Sequence, residues 1–81
     1  MQYSGDARGH TVHEVLDEGR TVVLEDGSAW EVYEGFTSRA EKWEVGDLVG
    51  VKTSTDDEFP YLLVNVNFNN SVECKLIRDR A

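Results

Sequence analysis

Cysteine occurs once in the 81 residues, at Cys74, so the chain can form no internal disulfide, and a zinc site built on thiolates has no ligand set. Basic residues are also scarce. Eight Lys and Arg face sixteen Asp and Glu, a net charge of −8, and such a chain repels phosphate backbones and anionic lipid surfaces. Nucleic acid and membrane are therefore not expected partners. Long apolar runs are missing too, which leaves nothing to form a membrane-spanning helix. The opening "MQYSGDARG" has no apolar stretch of the signal-peptide kind, so the expected compartment is the cytoplasm, with export through a removed leader as the alternative. Phosphate-cradling glycine loops, internal repeats and low-complexity tracts are likewise not found, and no motif names an activity.

What is present suits one small domain. A chain of this length buries only about 60–65% of its unfolded surface, so its core is thin. The 40% hydrophobic content still suffices to build one. Residues 1–9 are polar and read as a flexible lead-in to a single domain over 10–81. From His10 onward short strand-like segments alternate with turn formers: "HTVHEVL", "RTVVLE", "SAWEVY", "DLVGVK", "PYLLVNVN" and "SVECKLIR".

Two hairpins can be given a register. In "LEDGSAWEV" a two-residue Asp26-Gly27 turn would set Val23 opposite Trp30 and split the apolar residues between faces. A three-residue Glu25-Asp26-Gly27 loop sets Val22 opposite Trp30 and gathers Val22, Leu24, Trp30 and Val32 on one side, with Gly27 left-handed. That register makes Trp30 a core residue. By the same logic "FNN" predicts a loop with Leu62, Val64 and Val66 facing Leu76, Cys74 and Val72, and with Asn70 left-handed. Tyr61, Leu63, Asn65, Glu73, Lys75 and Ile77 then occupy the other face.

"EGFTSRAEKW" interrupts the strands. Ser38 and Glu41 have capping-box spacing and predict one helical turn near 38–43. Val49 and Val51 then point inward, and Gly50 between them permits close backbone approach. Five or six short strands and one helical turn predict a small antiparallel barrel. An SH3-like meander is the first choice and an OB-like barrel the second, since closure removes exposed edges.

The order "VVLEDGSAWEV", "KWEVGDLVGV", "YLLVNVN" resembles a family of small uncharacterised bacterial proteins with the pattern Asp-Gly-Ser-x-Trp-x-Val, then Trp-x-x-Gly-Asp-x-Val. The likeness spans roughly residues 22–76. Its elements are turn and core residues, so it implies a common fold and no activity. Members often look exported, which keeps export beside the cytoplasm.

The candidate ligand groove combines Trp43, Tyr33, Phe36, Phe59 and Tyr61, with Trp43 at a barrel rim. Aromatics beside an acidic loop, here Asp56, Asp57 and Glu58, suit an extended basic or proline-rich peptide. The acidic triplet lacks the oxygen spacing of a calcium loop. His10 and His13 point to opposite faces and make a poor ligand pair, so no metal and no cofactor are expected. Cys74 reads as a small core hydrophobe, and Ser28 and Ser71 lie in turns with no histidine in the local pattern. A barrel this small has little interior for a substrate pocket of about 300 Å³, so no enzyme is expected. The leading expectation is a non-enzymatic protein-binding or accessory module. The alternative is self-association through an outer apolar face of Val23, Tyr33, Tyr61, Leu63 and Ile77.

Overall fold

The structure is a computed structural model and describes residues 2–80. Among the described residues six strands form a closed antiparallel barrel: β1 (His10–Leu16), β2 (Thr21–Leu24), β3 (Ala29–Val32), β4 (Leu48–Thr53), β5 (Tyr61–Asn65) and β6 (Asn70–Arg78). One short helix, α1 (Thr37–Ala40), lies between β3 and β4 behind a 3-10 turn over Glu34–Phe36. The barrel class is the one expected. Its strand order, β1-β2-β3-β6-β5-β4 and back to β1, is not a single continuous meander: two three-stranded meanders are joined where β3 pairs with β6 and β1 with β4.

The β2–β3 hairpin has the register its apolar residues require, Val22 opposite Trp30 and Val23 opposite Ala29, with Gly27 at φ 88°. Val22, Leu24, Trp30 and Val32 enter the core together with Val12, Val49, Val51 and Leu63. Trp30 is fully buried, and its indole N–H donates to the Ser28 hydroxyl at 2.9 Å. Ser28 in turn donates to Asp26 from both its hydroxyl (2.7 Å) and its amide (3.0 Å). The turn sequence Asp-Gly-Ser thus satisfies the one polar atom of the largest fully buried side chain.

The β5–β6 hairpin departs from expectation. Leu63 pairs with Val72 and Asn65 with Asn70, so the loop has four residues, 66–69, and Asn69 rather than Asn70 is left-handed, at φ 55°. Tyr61, Leu63 and Asn65 face inward, while Leu62, Val64 and Val66 turn outward. Both faces of this strand are apolar, so pattern alone could not choose between them. Asn65 settles the choice. Its amide donates to Asp47 at 3.0 Å and its carbonyl accepts the Phe68 amide at 3.0 Å, so the buried side chain leaves no orphaned group.

Two further corrections concern the helical turn and the lead-in. Ser38 sits inside α1 and cannot cap it, so the Ser38–Glu41 box does not form; Thr37 instead donates its hydroxyl to the Glu34 carbonyl. Residues 2–9 hold no strand, yet they are not a free lead-in. The Tyr3 ring meets Trp30 edge-on at 5.1 Å, and the Ala7 carbonyl accepts the Val51 amide at 2.8 Å. A side chain at position 50 would crowd that carbonyl at 3.3 Å, which explains Gly50. No described helix is long and apolar enough to cross a membrane.

Candidate functional site

Three of the five aromatic residues expected in a groove do come together. Tyr33 ends β3's run and opens the 3-10 turn, with its amide bonded to the Glu73 carbonyl at 2.8 Å. Its ring meets Phe59 edge-on at 5.1 Å and Phe36 at 6.0 Å, and the side chain is 44% exposed. Phe59 is placed by its own loop. The Ser54 amide donates to the Pro60 carbonyl at 2.7 Å, and the Asp56 carboxylate accepts the Glu58 and Phe59 amides at 2.9 and 2.8 Å. Asp56 is therefore spent on shaping the loop, while Glu58 lines the groove.

The depression beside Tyr33 and Phe59 has a volume of about 560 Å³. It is larger than the sequence led us to expect, and it lies on the outer surface rather than inside the barrel. Asp17, Glu31, Glu34 and Glu58 set four carboxylates around it against the single guanidinium of Arg20. The aromatic faces already attract cations from the chain itself. Arg39 lies over Phe36 at 4.9 Å and Lys75 over Phe59 at 5.5 Å, with Lys75 also 3.9 Å from Glu31. Glu31 could have been found from sequence, because it alternates outward between Trp30 and Val32. Asp17 could not: it reaches the groove through a left-handed pair, Asp17 and Glu18 at φ 51° and 56°, that nothing in "LDEGR" demands.

The other two aromatic candidates belong elsewhere. Trp43 is not at a rim: it is 4% exposed, packs in the core, and donates its indole N–H to Asn70 at 3.0 Å. Its acidic neighbours Glu41 and Glu44 point away to solvent, and they made an inward residue look peripheral. Tyr61 is half-buried, stands edge-on to Trp30 at 5.2 Å, and accepts the Tyr3 amide on its hydroxyl at 2.9 Å. The expected outer apolar face also comes apart, since Leu63 and Val23 are buried and Tyr61 packs against the core. Cys74 is buried as expected, and that burial pushes its thiol pKa far up.

A second cluster went unforeseen. His10 is buried, whereas His13 on the other face of β1 is exposed. The His10 Nδ1 lies 3.0 and 3.1 Å from the two Glu25 carboxylate oxygens, and Nε2 lies 2.6 Å from the Asp6 carbonyl and 3.1 Å from the Tyr3 hydroxyl. Tyr3 donates its hydroxyl to Asp26. Burial would raise the Asp26 pKa, but the Tyr3 and Ser28 donors outweigh it and hold the carboxylate below its ordinary range. Burial and Asp26 together raise that of Tyr3.

No family model, no curated protein and no solved structure matches this chain.

Proposed function

We propose that the chain is a non-enzymatic binding or accessory module. Its groove of Tyr33 and Phe59, with Phe36 beside Tyr33 and Glu31, Glu34 and Glu58 at its border, takes a basic extended segment of another protein. The supporting observation is the exposed Tyr33 ring, seated on the buried Phe59 ring, in one depression with a carboxylate majority. A Lys or Arg side chain there gains cation–π contact and carboxylate neighbours together, as Lys75 already does within the chain. Peptide docking beside acidic loops is also the habit of SH3-like modules. The net charge of −8 supports a basic partner and disfavours nucleic acid.

Tyr33→Ala tests this reading. Tyr33 is half exposed and outside the core cluster, so stability should change by less than about 1 kcal/mol. Affinity for a Lys- or Arg-rich peptide should fall about tenfold or more, as for an aromatic anchor. Calorimetric titration of both proteins checks it, and equal affinities would remove the groove from consideration.

Self-association remains the second reading, moved to a different surface. Val45 and Val66 are 72% and 60% exposed, Leu48 is exposed beside them, and the Val66 amide donates to the Leu48 carbonyl at 2.9 Å. Sedimentation across a concentration series separates the readings, because a mass that stays monomeric dismisses self-association.

A further inference from the structure

We infer that residues 2–9 form a pH-responsive strap, locked over the Trp30–Tyr61 end of the barrel by the doubly bonded His10 side chain and loosened when that imidazole becomes neutral. The inference is independent of the Tyr33 groove and shares no residue with it.

The lock follows from the acceptors around the ring. The Asp6 carbonyl, 2.6 Å from Nε2, can only accept, and a carboxylate at Glu25, 3.0 Å from Nδ1, can only accept. Both nitrogens must therefore carry protons, which makes the ring an imidazolium. In that state it ties the strap, through Asp6, to the β2–β3 turn, through Glu25. Every charged or titratable group facing it favours the cation or is neutral. Glu25 and Asp26 come from the turn, with Asp26 at 3.9 Å, and the Tyr3 hydroxyl and Asp6 carbonyl come from the strap. The neighbouring strand β4 brings the apolar Val49 opposite.

A neutral imidazole has one N–H. The carboxylate of Glu25 is the stronger acceptor and keeps it on Nδ1, so the Nε2 lone pair is left against the Asp6 oxygen at 2.6 Å. Repulsion then falls on the strap. What the strap holds is specific: Tyr3 on Trp30, the Tyr3 amide on Tyr61, and Ala7 on Val51. Loosening it bares the edge of Trp30 and the ring of Tyr61, an aromatic surface otherwise covered.

The sign is fixed by the direction of the histidine shift. Burial would lower the His10 pKa, but the Asp6 carbonyl and the Glu25 and Asp26 carboxylates outweigh it and raise it above the ordinary 6.5. The contribution is full below the unfolded value and is lost as pH rises through the higher folded value. The strap is thus closed in mild acid and opens toward alkaline pH.

The test is a pH series of nuclear magnetic resonance spectra on the full chain, from about pH 5.5 to about pH 8.5, following the His10 ring and the Tyr3 and Val51 amides. The expected result is one shared midpoint above 6.5 for all three signals, while the Val22 and Leu63 amides stay still. Glu25→Gln should lower the imidazole midpoint and bring the strap signals down with it. His10→Gln should hold the strap signals at their released positions at every pH. Stationary Tyr3 and Val51 amides while the ring titrates would overturn the inference, as would a midpoint at or below that of a free histidine. A Glu25→Gln protein whose ring midpoint moves without the strap signals would do the same. Should His10→Gln fail to fold, the unmodified chain and Glu25→Gln decide alone.

Discussion

Trp30→Ala is expected to cost about 3–5 kcal/mol, a large share of the roughly 4–12 kcal/mol that a chain of this length holds. Trp30 is the largest fully buried side chain, touched edge-on by Tyr3 at 5.1 Å and Tyr61 at 5.2 Å. Truncation opens a cavity between both meanders and removes the indole N–H that the Ser28 hydroxyl accepted. Urea unfolding followed by far-ultraviolet circular dichroism checks it. A midpoint lowered in proportion to that loss is expected, and a loss below about 1 kcal/mol would mean that the barrel is not organised around this ring. Trp30→Phe keeps most of the volume and loses the Ser28 bond, so about 1–2 kcal/mol should suffice to describe it.

Gly19→Ala should be nearly as damaging, for a different reason. Gly19 has φ 93°, and a Cβ there would sit 2.2 Å from the Thr37 carbonyl oxygen and 2.6 Å from the Glu41 amide nitrogen. Backbone strain alone costs about 1–3 kcal/mol at such a conformation. The clash then has to push α1 off the barrel, and α1 leads into Trp43. A loss of about 3 kcal/mol or more is expected in the same unfolding assay. Gly46→Ala is the control. Gly46 has φ 94° but no neighbour within 4 Å, so it should show the strain without the clash. Equal losses for the two variants would refute the role given to the contact between the Asp17–Gly19 turn and α1.

What was legible in the sequence was whatever depended on neighbours in the chain. The β2–β3 register could be read because one choice gathers Val22, Leu24, Trp30 and Val32 while the other scatters them. Gly50 could be read as a close approach, though not that Ala7 makes it. Illegible features depended on distant partners. The β5 face was misread because both faces of the strand are apolar, and Asn65 turns inward only with Asp47, eighteen positions away, as its acceptor. Tyr3 looked like tail because its partners, Asp26, Trp30 and Tyr61, become neighbours only after the barrel closes. In and beside the groove, Tyr33, Phe36 and Phe59 were found as aromatics, but Asp17, Arg20 and Lys75 were not, since only the folded sheet brings their charges to one place.

The central claim is that the Tyr33 groove receives a basic partner segment. Its most direct test is a two-dimensional amide correlation spectrum of the labelled chain, titrated with an extended Lys- and Arg-rich peptide at low and at high salt. The amides of Tyr33, Glu34, Glu58 and Phe59 should move in step, while the Trp30 and Trp43 indole signals stay in place. The shifts should weaken as salt rises, because the carboxylates at the rim are screened. A spectrum that does not change, or one whose changes lie only around Leu48 and Val66, would contradict the claim.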